Sequence, residues 1–161
     1  MKNKAKFLLN NFELIFASIC VSLSTILVLV NVFLRYFLKT GIYWSEEVCT
    51  MSFVWCVFIG SAAAYKNGAH LGVDLVVKKL PKVIRTIVKI LVDIILVAIN
   101  GYILYLSIIF VSTSYAKPTA VLAISSAWVS SSLIAGFGLT TVYAVRDLIT
   151  DVLKLVRKEE L

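Results

Sequence analysis

Four apolar runs, at about residues 12–34, 48–65, 87–111 and 122–145, take up most of the 161 residues of this chain. A hydrocarbon core roughly 30 Å thick takes about 20 helical residues to cross, and only a helix satisfies its own backbone hydrogen bonds away from water. The runs therefore predict an all-α integral membrane protein with four transmembrane helices. A soluble helical bundle would keep a polar stripe on each helix, and Ile94 to Ile99 keeps none. With no internal repeat, low-complexity tract or long linker, residues 1–161 read as one membrane domain.

The net charge of +7 is spread along the gaps between runs instead of forming one patch. That distribution argues against nucleic acid and for a topology signal. Lys2, Lys4 and Lys6 precede the first run. Lys66, Lys78, Lys79, Lys82, Arg85 and Lys89 follow the second, and Arg146, Lys154, Arg157 and Lys158 follow the fourth. These thirteen share one side, against Arg35, Lys39 and Lys117 on the other. The positive-inside rule then predicts cytoplasmic N- and C-termini, with the first run retained as a signal anchor.

Between the second and third runs, His70, Asp74, Lys78 and Lys82 recur every four residues, with Leu71, Leu75, Val76 and Leu80 between them. This is helical periodicity. With Lys79 on the polar face, it predicts an amphipathic interfacial helix at about 70–80, its aliphatic side in the acyl boundary and its lysines against anionic lipid headgroups. Outside, Tyr43-Trp44-Ser45-Glu46-Glu47 suits a helix start at an interface: aromatic rings at headgroup depth, a capping serine, and two carboxylates facing the positive helix end.

Inside the membrane the polar residues are few. Asp93 is expected to pair with Lys89 one turn away and reach the headgroups, and Glu13 to sit at the inner boundary. Asn31 and Asn100 suit helix–helix hydrogen bonds, and Ser130, Ser131 and Ser132 can bond their own backbone. Small residues spaced by four mark two contacts, Cys56, Gly60 and Ala64 on one helix and Ser132, Gly136 and Thr140 on another. Such stripes serve equally for packing among these four helices or for docking a second membrane protein.

Cys20, Cys49 and Cys56 form no Cys-x-x-Cys pair, and the single histidine cannot supply two axial haem ligands. No phosphate-binding loop, metal-ligand cluster or nucleophile with a base is evident. The chain is therefore expected to be no enzyme and to carry no metal or cofactor of its own.

An ordered set of short motifs adds to this picture: Asn31 followed by Arg35-Tyr36, then Trp44-Ser45-Glu46-Glu47, Phe53-Val54-Trp55, Gly60-Ser61-Ala62, and His70-Leu71-Gly72-Val73-Asp74. In order and spacing it resembles the DctQ-like small membrane subunit of tripartite ATP-independent periplasmic (TRAP) transporters, along nearly the whole chain. Ile124 to Trp128 departs from the proline-containing lead usual there in that family.

The resemblance implies a small permease subunit in the bacterial inner membrane. It would brace the scaffold of a large, DctM-like membrane subunit, one to one, in sodium-driven import of an organic acid anion of the sialic acid or C4-dicarboxylate type. A periplasmic binding protein would deliver the anion, and the large subunit would hold the sodium and substrate sites. In that frame the two small-residue stripes dock the large subunit and the 70–80 segment anchors the scaffold. Arg35, Lys39, Trp44, Glu46, Glu47 and Lys117 meet the binding protein, with helix capping as the rival role for the glutamates. The competing readings are a membrane anchor or assembly subunit of an unrelated complex, and a small self-sufficient homodimeric transporter.

Overall fold

The structure, a computed structural model, describes residues 11–68 and 82–157. They form four helices, α1 (Phe12–Phe37), α2 (Ser45–Lys66), α3 (Lys82–Ser114) and α4 (Ala127–Arg157), all long and apolar enough to cross a membrane. The segment expected as an interfacial helix, with His70, Asp74, Lys78 and Lys79, lies outside the described residues.

α1 and α2 match their apolar runs closely, whereas α4 is displaced. It begins at Ala127, not near residue 122, because the chain before it folds back on itself. Thr119 N–H donates to Ile124 O at 2.8 Å, Ser126 N–H to Lys117 O at 2.8 Å, and Pro118 bridges to Ser125. Ala123 takes a left-handed φ of 53° at the turn. At the other end α4 runs on to Arg157, since helix hydrogen bonding does not stop where hydropathy falls. Its 31 residues reach about 46 Å at ~1.5 Å per residue, well beyond a hydrocarbon core of roughly 30 Å.

The helices stand in an open row. α1 packs on α2, α2 on α4 and α4 on α3, and no other pair packs among the described residues. The two helix-connecting loops that are fully described, 38–44 and 115–126, lie at one end of the row, called here the loop end. Because lipid tails are as apolar as leucine, small and polar residues hold such seams together, not hydrophobic burial.

Along α1 and α2 the seam runs antiparallel through small residues. Ala17 Cβ lies 3.7 Å from where a Gly60 Cβ would stand. Further along, Ser24 Oγ donates to Cys49 O at 3.2 Å, and Cys49 Sγ donates to Ser24 O at 3.7 Å. Phe16 meets Trp55 edge-on at 5.9 Å. Between α2 and α4 the backbones themselves meet: a Cβ on Gly136 would lie 2.7 Å from Phe58 Cβ and 2.8 Å from Phe58 O. Only glycine fits there.

The α3–α4 seam is polar in a different way. Asp93, Asn100, Ser107 and Ser114 recur every seven residues, two helical turns, so they share one face of α3. Asp93, Ser107 and Ser114 are buried and Asn100 is half-buried. Asn100 Nδ2 and Ser107 Oγ donate to the carbonyls of Leu96 and Ile103 on their own helix. α3 thus inverts the soluble pattern, with polar groups inside and aliphatic residues outside. Asp93 is 4% exposed, so its carboxyl is covered by the packed helices.

Candidate partner interfaces

At the loop end, the α1–α2 turn is closed by Asn31, whose Oδ1 accepts the Ile42 N–H at 2.9 Å. The sequence offered Asn31 as a helix–helix bond; it orders the turn instead, since an amide in the last turns of α1 reaches the chain as it doubles back. Ser45 is no cap either. Its buried hydroxyl donates back to Ile42 O at 2.7 Å, and Trp44, the residue preceding the helix, makes no side-chain capping bond.

The two adjacent glutamates have separate fates. Glu46 is exposed. Glu47 turns toward the α3–α4 loop, where Oε2 accepts the backbone N–H groups of Val121 at 2.8 Å and Leu122 at 3.1 Å. A carboxylate gathering two adjacent amides is a charge-assisted clamp, and it holds the hairpin tip against the first turn of α2. Glu47 thus fastens a loop instead of capping its own helix. Arg35, Lys39, Trp44, Glu46 and Lys117 remain exposed at this end, with Lys39 at a left-handed φ of 54°.

Of the small-residue stripes, Gly60 and Gly136 lie in seams between helices of this chain. Cys56 is half-buried on α2. Ser132 is fully buried, with its hydroxyl on Val129 O at 2.6 Å, and Thr140 bonds Gly136 O at 2.9 Å. Ala64 is the exposed member. Ser132 and Gly136 are buried within this chain and Cys56, Gly60 and Thr140 are half-buried, so both stripes take part in its internal packing.

At the opposite end stands a cluster that the sequence did not reveal. Glu13, 1% exposed, accepts Lys66 Nζ on both oxygens at 3.1 Å. The Tyr143 hydroxyl donates to Glu13 Oε1, and the Lys66 ammonium lies 5.5 Å from the Tyr143 ring centroid. One carboxylate so joins α1, α2 and α4. A charge this deep must be paired; an acid opening one apolar helix and a base closing the next was the signal. Beside it, Asp93 and Asp147 lie near enough to Tyr65 to act on it electrostatically. Among the described residues no group of three His, Cys, Asp or Glu side chains is placed to hold a metal.

Residues 24–154 match the family described as tripartite ATP-independent periplasmic transporters, DctQ component. A Haemophilus influenzae protein that carries the provisional name of TRAP transporter small permease protein is 36% identical over 93 residues, 58% of this chain and 57% of that protein. The chain therefore spans little more than half the length of that relative. The sialic acid TRAP transporter small permease protein SiaQ of Vibrio cholerae is 27% identical over 122 residues, 76% of this chain and 70% of SiaQ. The C4-dicarboxylate TRAP transporter small permease protein DctQ of the same organism is 33% identical over 61 residues, 38% of this chain and 26% of DctQ.

Proposed function

The chain belongs to the DctQ component family of tripartite ATP-independent periplasmic transporters, and on that premise we propose that it braces a large, DctM-like membrane subunit, one to one. The pair would import an organic acid anion delivered by a periplasmic binding protein, with sodium coupling and the substrate site residing in the large subunit. Relatives named for sialic acid and for C4-dicarboxylates support that substrate class.

The observation that carries this reading is the open row. α1 and α3 each lean on a single neighbour, an arrangement that widens a membrane surface and does not enclose a solute. Ser24, Asn100, Ser107 and Thr140 in the seams bond across to the next helix or to their own backbone. Such groups fasten helices together; they do not converge on a ligand.

In this reading the loop end faces the periplasm, where Arg35, Lys39, Trp44, Glu46 and Lys117 meet the binding protein through charge pairs that salt weakens. The lysine-rich opposite end faces the cytoplasm. The test is sodium-dependent uptake of labelled organic acids into proteoliposomes holding this chain, a matched large subunit, or both, with the binding protein outside. Uptake by the complete set alone supports the reading. Uptake by the large subunit at the same rate without this chain, or by this chain alone, overturns it.

A further inference from the structure

The two edge helices of the row differ in what they turn outward. On α1 the exposed Ser18, Ser22 and Thr25 each donate a hydroxyl to the carbonyl four residues earlier, at 2.8 Å. Lipid can cover that surface without leaving a donor unpaired. On α3 the face opposite the Asp93–Ser114 stripe runs through Leu91, Ile94, Ala98, Tyr102, Tyr105 and Ile109, all exposed. Tyr102 is 64% and Tyr105 61% exposed, and neither hydroxyl has a hydrogen-bond partner among the described residues.

A phenol cannot turn back on its own helix as serine and threonine do, and Tyr102 stands far from either end of its helix. Tyr102 is 12 residues from the Ser114 end and 15 from the Ile87 end of its membrane span, about 18 and 22 Å at ~1.5 Å per residue. Hydrocarbon has no acceptor to offer. Gly101 beside Tyr102 has nothing within 4 Å of where a Cβ would stand, which leaves room for another backbone to come close. α3 is also the least covered of the four spans.

We infer that this face of α3, centred on Tyr102 and Tyr105, is where the large membrane subunit docks, its helices supplying acceptors to the two phenols near the bilayer midplane. The inference rests on the reading of this chain as a TRAP small subunit. Placing the photo-crosslinker p-benzoylphenylalanine at position 102, 105, 22 or 25 of the complete two-subunit complex tests it. Positions 102 and 105 should yield adducts with the large subunit, and positions 22 and 25 adducts with lipid.

The Tyr102→Phe/Tyr105→Phe pair should still insert at the wild-type level, yet retain several-fold less large subunit on purification. Lipid or self-adducts alone from 102 and 105, large-subunit adducts from 22 and 25 in their place, or undiminished retention by the double Phe variant would each overturn the docking face. Failure of the wild-type chain to co-purify with any large subunit would instead remove the reading beneath it.

Discussion

The α1–α2 pair and the α3–α4 pair are both antiparallel hairpins, but only the first is finished within this chain. α1 is fastened along its length: Glu13 to Lys66, Ala17 beside Gly60, Ser24 to Cys49 and Asn31 to the turn at Ile42. Its outward serine and threonine hydroxyls are satisfied by their own helix. α3 bonds Asn100 and Ser107 of its inward stripe in the same local way and leaves two phenols facing outward without partners. A membrane helix with every polar group bonded can end at lipid; one with open donors asks for more protein.

The comparison depends on the joint between the pairs, so the strongest way to break it is at Gly136. Gly136→Leu would drive a side chain into the Phe58 backbone, and overpacking on this scale should destabilise the fold by about 3 kcal/mol or more. A lower unfolding midpoint in detergent and a shifted elution volume would reveal it. An unchanged midpoint would mean that the helices do not meet this closely.

Next in size is the clasp that secures α1. Glu13→Gln leaves the Lys66 ammonium without its counter-charge, which should cost about 3 kcal/mol, at the low end for a broken buried pair because Lys66 keeps some contact with solvent. Glu13→Leu combined with Lys66→Met should recover most of that loss, and a double-mutant cycle of unfolding midpoints measures the coupling.

A smaller and local effect is expected at the loop end. Glu47→Ala removes the acceptor of the Val121 and Leu122 amides, worth about 1–2 kcal/mol for charge-assisted bonds. Those two amides should exchange hydrogen about tenfold faster, since ~1.4 kcal/mol is a factor of ten, while amides in the middle of α2 and α4 stay unchanged. Smallest of all, Ser22→Ala on the outward face of α1 should move stability by less than about 0.5 kcal/mol. A larger shift there would mean that α1 also meets a partner.

Much of the fold was legible because membrane crossing is a property of short windows. Twenty apolar residues announce a span wherever they occur, and the helices observed lie on the four runs read from the sequence. The start of α4 was misplaced because Val121, Leu122 and Ile124 look like helix in a hydropathy window. What bends them away is a hairpin held by Thr119, Ser126 and a carboxylate 74 residues upstream. The stripes around Gly60 and Gly136 were visible, yet spacing alone could not say whether the facing helix belonged to this chain.

The sequence by itself determined the number of crossings, the solvent they cross and the family, since these depend on local composition and on motif order. Only the tertiary structure decided the row order α1, α2, α4, α3, the pairing of Glu13 with Lys66 and Tyr143, the turning of Glu47 toward the α3–α4 loop and the burial of Asp93. Each of those outcomes depends on which groups meet after the chain has folded. In a bilayer the groups that need partners are scattered polar ones, and a sequence records that they need partners without recording which they find.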